Sequence, residues 1–155
     1  MEIEVVWGTG EGHSSLGAFD RALSDANVHN YNLVTLSSVV PAGATVVERG
    51  ALDAGRWDVG DPLAVVLADN TGTEPGETVS AGLGWLTAEE GGVFMEHAAG
   101  TAEECRRELE RNLGDARETR DWAWSGDPRT RVVETTVDTV ASVVVCAVYR
   151  PLSFE

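Results

Sequence analysis

Residues 2–7 alternate polar and apolar side chains, the period of a strand with one face buried, and a glycine-rich loop follows with Gly8, Gly10 and Gly12. Ser14 or Ser15 can cap a helix, and Leu16, Phe19, Leu23 and Ala26 then recur at helical spacing, predicting a helix to about Asp25. The stretch YNLVTLSSVV, residues 31–40, is rich in β-formers and ends at Pro41, which cannot donate to a strand ladder. Beyond a loop rich in Gly and Ala, segments 63–68, 78–86 and 92–97 read as strands, with turns at 71–76 and 89–91. The clearest helix starts at Thr101, where T-A-E-E puts Glu104 in the capping-box position, and runs through Leu109 and Leu113 to about Arg120. Segments 131–137 and 140–149 close the chain as strands. Strands outnumber helices and no repeat or linker interrupts them, so one domain is expected, of α/β class, with sheets covered by helices rather than a Rossmann arrangement.

Composition narrows the function. With 155 residues, 43% of them hydrophobic, the chain can build a real core and is not a disordered segment. Its net charge of −15 would repel a polyanion, which excludes nucleic acid held by phosphate neutralisation. All 11 basic residues are Arg and none is Lys, which removes P-loop chemistry and pyridoxal phosphate held as a lysine Schiff base. An acidic, lysine-free chain also suits concentrated salt, where self-repulsion is screened. The start MEIEVVWG lacks the features of a secretory or transit peptide, and the longest apolar stretch, 140–149, falls short of the ~20 residues that span a bilayer. A cytoplasmic protein without membrane contact is expected, with Cys105 and Cys146 reduced and serving as packing residues.

Most candidate chemistry fails on spacing. GTGEG between a strand and a helix could cradle an anion, yet it is not G-x-G-x-x-G and carries Glu11, so a structural turn is the better reading. His13, His29 and His97 lack metal-ligand spacing, and no metal site is expected. No G-x-S-x-G elbow supports a serine hydrolase. What remains is Ser37–Ser38 at the end of an apolar strand, with Asn32 upstream and Pro41 downstream. A serine hydroxyl can attack the carbonyl before it, and β-elimination of the resulting ester leaves a ketone-bearing pyruvoyl group. That group is the electron sink that a lysine-free chain cannot obtain from pyridoxal phosphate.

Four segments carry a resemblance: GAFDRAL at 17–23, NLVTLSSVVP at 32–41, PGETVSA at 75–81 and GGVFMEH at 91–97. In order and spacing they resemble the pyruvoyl-dependent arginine decarboxylases. The resemblance implies an αββα sandwich that cleaves itself into residues 1–37 and 38–155 and assembles as a homotrimer with active sites between protomers. It further implies that cleavage falls between Ser37 and Ser38, that Ser38 becomes the covalent pyruvoyl cofactor, and that Asn32 assists processing and positioning. Glu96 matches the acid/base residue, and Leu16 and Asp20 match substrate-contacting positions, Asp20 being the expected carboxylate partner of a guanidinium. His29 and Tyr31 stand where the family has small residues lining the substrate pocket. The implied reaction takes L-arginine to agmatine and CO2 through a Schiff base on the Ser38-derived group, with Glu96 protonating the α-carbon. Placed among Val93, Phe94 and Met95, the Glu96 carboxyl would be partly desolvated and hold its proton nearer neutral pH. The alternatives are decarboxylation of another amino acid, or a trimeric binding or assembly protein of the same fold that never processes.

Overall fold

The computed structural model describes residues 1–153, so the last two residues of the expected 38–155 fragment lie outside the described residues. The elements run β1 (Glu2–Glu11), α1 (Ser15–Asp25), β2 (Asn32–Thr35), β3 (Val39–Val40), β4 (Thr45–Gly50), β5 (Pro62–Gly72), β6 (Thr78–Ala88), β7 (Gly91–Ala99), α2 (Ala102–Thr119), β8 (Trp124–Thr136) and β9 (Ala141–Pro151). They form a five-stranded sheet in the order β2-β5-β9-β1-β4 and a four-stranded sheet in the order β3-β7-β6-β8. The β1–β4 and β2–β5 pairs are parallel and the others antiparallel.

The architecture is an αββα sandwich. Alternation along each central strand divides its side chains between two layers. Ile3 and Val5 of β1, Val143 and Val145 of β9, and Leu83, Trp85 and Phe94 of the smaller sheet fill the space between the sheets. Val6, Val65, Val144 and Cys146 turn the other way, against Ala22 and Ala26 along α1. Leu86 and Val93 meet Leu113 and Ala116 of α2. Both helices begin where their caps place them: the Ser14 hydroxyl accepts from the Gly17 N–H at 3.1 Å, and the Thr101 hydroxyl from the Glu104 N–H at 3.2 Å.

Four expectations need correction. The glycine-rich stretch is not a loop, because β1 continues to Glu11 and pairs with β9 from Gly8↔Val144 to Glu11↔Ala141. Its glycines let a helix approach: a Cβ on Gly8 or Gly10 would collide with the backbone of α1 at Ala22, and one on Gly12 would lie 2.8 Å from the Ala18 nitrogen. The Gly- and Ala-rich segment after Pro41 contains β4, the parallel edge strand beside β1. The last-but-one strand begins at Trp124 rather than at 131. The stretch 31–40 is two strands in different sheets, not one.

Polar groups tie the sheets together at both flanks. On one, Asn70 of β5 donates from Nδ2 to the carbonyls of Ser80 (3.2 Å) and Ala99 (3.0 Å). On the other, Arg131 of β8 donates to Glu48 of β4 at 2.7 Å, its guanidinium lying 4.2 Å from the centre of the Trp7 ring. Glu4, 6% exposed on β1, is paired with Arg49 at 3.2 Å and with Arg56, which answers the cost of burying its charge. Cys105 and Cys146 are both free and buried. Among the described residues no helix is long and apolar enough to cross a membrane.

Candidate active site

The chain passes from the larger sheet to the smaller one between Thr35 and Val39. β2 stays beside β5 as far as Leu36, whose N–H donates to the Val65 carbonyl at 2.8 Å; β3 then pairs with β7, Val39 opposite Val93. A chain that changes sheets over so few residues must turn sharply. Ser38 absorbs the turn with a φ of +73°, a left-handed conformation that costs a non-glycine residue about 1–2 kcal/mol.

Two hydrogen bonds hold that turn. The Phe94 N–H donates to the Ser38 carbonyl at 2.8 Å, and the Tyr149 hydroxyl, reaching across the core from β9, donates to the Val39 carbonyl at 2.8 Å. Burial pushes the Tyr149 phenol up to about 12, so it remains a protonated donor throughout the neutral range. The Tyr149 and Phe94 rings also touch, with centroids 6.2 Å apart, so the two anchors brace each other.

Glu96 lies two residues beyond Phe94 on β7. Alternation puts it on the strand face that Phe94 buries between the sheets, at the end where that core opens to solvent. Ser37, Ser38, Phe94, Met95 and Glu96 line one cleft of about 280 Å³ together with Arg120, the residue that ends α2. Partial burial raises the Glu96 carboxyl above the ordinary carboxylate range, and the negative charge of Asp69 on β5 raises it further. A carboxyl of raised pKa thus shares a solvent-open cleft with the Ser38 turn. A larger cleft of about 590 Å³ opens on the opposite flank, by Thr45, Trp85 and Arg129, but holds none of these groups, so its size says nothing about the chemistry.

The other residues singled out in the sequence lie elsewhere in the protomer. Asn32 is at the far end of β2 from Ser38, its Nδ2 donating to the Gly60 carbonyl at 2.7 Å and its N–H to the Asp61 carbonyl at 3.0 Å. Tyr31 sets its ring edge-on to Trp57 at 6.0 Å. His29 is half-buried, with a buried Nδ1 that has no hydrogen-bond partner among the described residues. Leu16, 79% exposed, and Asp20 stand on the solvent side of α1. One chain therefore brings together Ser37, Ser38 and Glu96, and leaves Asn32, Leu16, Asp20, His29 and Tyr31 outside their cleft. Arg120, Tyr149 and Asp69 were not legible as neighbours of this cleft. They come from the end of α2 and from β9 and β5, and no local pattern links them to Ser38.

Comparison with known proteins shows the family of the chain. The sequence matches the family described as pyruvoyl-dependent arginine decarboxylase over residues 2–153. It is 38% identical over 151 residues to the pyruvoyl-dependent arginine decarboxylase of Halobacterium salinarum, covering 94% of this chain and 92% of that one. It is 36% identical over 107 residues to the protein of that name from Thermococcus kodakarensis, covering 68% and 66% of the two chains. The family match runs from the start of β1 past the end of β9, and the chain belongs to the pyruvoyl-dependent arginine decarboxylase family.

Proposed function

We propose that this protein is a self-processing decarboxylase that converts L-arginine to agmatine and CO2, using a pyruvoyl group formed from Ser38. One observation carries the reading: the left-handed Ser38, its carbonyl pinned by Phe94, shares a cleft with a carboxyl of raised pKa. The residues fit the group. Ser38 supplies a β-hydroxyl at a strained, half-buried turn, and cutting the Ser37–Ser38 bond releases the torsional strain, because residue 38 then has no preceding peptide unit to eclipse.

Maturation begins with attack of the Ser38 hydroxyl oxygen on the Ser37 carbonyl carbon, the Ser38 nitrogen leaving to give an ester. Loss of the Ser38 α-proton then expels the Ser37 carboxylate, and water replaces the remaining nitrogen, which departs as ammonia and leaves a ketone. In place, the pyruvoyl group supplies an electron sink for the pair released when a bound amino acid loses CO2. Glu96 holds a proton in the same cleft and delivers it to the substrate's α-carbon.

In a single protomer the carboxylate suited to a guanidinium, Asp20, and its neighbour Leu16 lie outside the cleft. We assign them to the substrate side of a site completed by a second copy in a homotrimer, with Asn32 assisting processing and positioning. Leu36 and Val39, exposed on either side of the two serines, give that interface an apolar surface. Free, buried Cys105 and Cys146 suit a reducing cytoplasm. A second reading is decarboxylation of a different amino acid, in which His29 and Tyr31, outside the cleft of one protomer, would narrow the substrate pocket of the assembled site. Release of labelled CO2 from carboxyl-labelled amino acids tests both: arginine is expected to be the preferred substrate, and preference for another amino acid would transfer the assignment to it.

A further inference from the structure

The cleft at the Ser37–Ser38 crossing is reached from both faces of the smaller sheet. Val93 and Met95 of β7 pack in the α2 layer with Leu113 and Ala116, and Glu96, next along the strand, alternates to the other face. Val39 stands opposite Val93 in the ladder and so shares the α2 face. Arg120, where α2 ends, lines the cleft from this face, and the two serines lead into β3 at the sheet edge between. Arg120 is the one cation of the cleft.

The guanidinium is held in place. Its Nη1 donates to the Ala116 carbonyl at 3.4 Å, and the centre of the Trp122 ring is 5.5 Å away. Trp122 is fixed in turn. The Ala123 N–H donates to the Glu90 carboxylate at 3.0 Å, the Glu89 N–H donates to the Ala123 carbonyl at 3.2 Å, and a Cβ on Gly91 would come within 3.6 Å of the ring. Yet among the described residues no carboxylate pairs with Arg120. Arg21, Arg106, Arg117 and Arg150 also lack such a pair, but they are exposed and water solvates their charge. Arg120 is half-buried, in a chain that carries 26 acidic residues. A cation drawn partly out of water without a counter-charge costs stability.

We propose that Arg120 is the counter-ion of the carboxylate that self-cleavage creates at Ser37, stabilising that charge as the ester is eliminated and holding the new chain end afterwards. The proposal rests on the reading that the chain cleaves itself between Ser37 and Ser38. Elimination passes the α-proton of residue 38 to water in the open cleft, breaks the bond from its β-carbon to the ester oxygen, and leaves that electron pair on the Ser37 carboxylate. The uncut chain carries no charge at this point. The planar guanidinium matches a carboxylate through two parallel hydrogen bonds, and the partner Arg120 lacks before cleavage is the one that cleavage makes. The substrate's own α-carboxylate is a poorer partner. It loses its charge as CO2 departs, so a cation fixed on it would favour the ground state over the transition state.

The test follows maturation of the full chain by the masses of its species, in wild type, Arg120→Gln and Arg120→Lys, with portions treated with hydroxylamine. Hydroxylamine splits an ester-linked chain into residues 1–37 and a 38–155 fragment that begins with an unmodified serine; it leaves an uncut amide chain whole. Arg120→Gln is expected to mature about 10- to 100-fold more slowly and to accumulate the hydroxylamine-labile ester. Arg120→Lys keeps the charge and should recover part of the lost rate. Maturation of Arg120→Gln at the wild-type rate would overturn the proposal, and a raised KM for arginine alongside it would give the cation to the substrate instead. An uncut Arg120→Gln chain that resists hydroxylamine, or equal slowing in both variants, would also overturn it, since the arginine would then serve folding or packing. A wild type that stays one chain would overturn the self-cleavage reading itself, and the proposal with it.

Discussion

The Ser38 carbonyl accepts a 2.8 Å hydrogen bond from the Phe94 N–H, so the turn between the two sheets is fastened to β7 two residues before Glu96. The group to be converted and the proton donor are thereby held by a single strand. Their spacing is set by backbone geometry rather than by flexible side chains, which is how a site keeps reacting groups in register.

Tyr149 is the second fastening, and its hydroxyl is the part that matters. Tyr149→Phe keeps the ring against Phe94 but leaves the Val39 carbonyl without its donor. A loss of about 1 kcal/mol is expected, together with slower appearance of the two fragments on denaturing gels. Unchanged processing kinetics would show that the Phe94 bond alone holds the turn.

Glu96→Gln separates maturation from turnover. Bond cleavage uses the Ser38 hydroxyl and the Ser37 carbonyl, whereas turnover needs a proton that glutamine cannot give. The variant is expected to split into two fragments and to lose arginine decarboxylation by ~100-fold or more. For the wild type, the raised Glu96 carboxyl keeps its proton to higher pH than an ordinary glutamate. Activity limited by this donor should thus fall as pH rises through that elevated value, a limb absent from the residual activity of the variant.

Gly10→Ala tests the contact between β1 and α1. Its Cβ would meet the backbone of Ala22 and the Ala18 carbonyl, atoms that cannot swing aside. A cost of about 1–3 kcal/mol is expected for overpacking of this kind, read as a drop in melting temperature of about 2–4 °C per kcal/mol for a chain of this size. Gly43→Ala, where the Cβ meets nothing within 4 Å but φ is +81°, separates backbone strain from collision.

The net charge of −15 sets a dependence on salt. At molar potassium chloride the screening length falls to about 3 Å, so repulsion within and between acidic protomers is relieved. Melting temperature should rise from dilute buffer toward molar salt; an equal value in both would show that the acidity is not an adaptation to brine.

What the sequence made legible follows from what periodicity can report. Both helices were readable to within a residue or two because Ser14 and Thr101 cap them and their apolar stripes are regular. β1 was cut short at Trp7 because glycines carry no side chain to alternate, although here they alternate against α1. β4 hid in a Gly- and Ala-rich stretch because TVVERG is short and lies at a sheet edge. The first half of β8 was masked by Gly126 and Pro128, which read as turn residues but sit in an edge strand that tolerates them. The stretch 31–40 looked continuous because both of its halves are β-rich, and nothing local announces that Ser37 and Ser38 carry the chain from one sheet to the other. The serines and Glu96 were legible through family motifs. Asp69, Arg120 and Tyr149 were not, since their proximity to those residues is created by β5, α2 and β9 folding onto the same flank.

Conversion of Ser38 is the central claim, and the mass of the purified protein tests it most directly. Expected are two species, residues 1–37 with a free carboxyl end and residues 38–155 blocked at the amino end by a ketone group, while Ser38→Ala remains one uncut chain. A single species of full-length mass in protein that releases CO2 from arginine, or a 38–155 fragment that still begins with an unmodified serine, would contradict it.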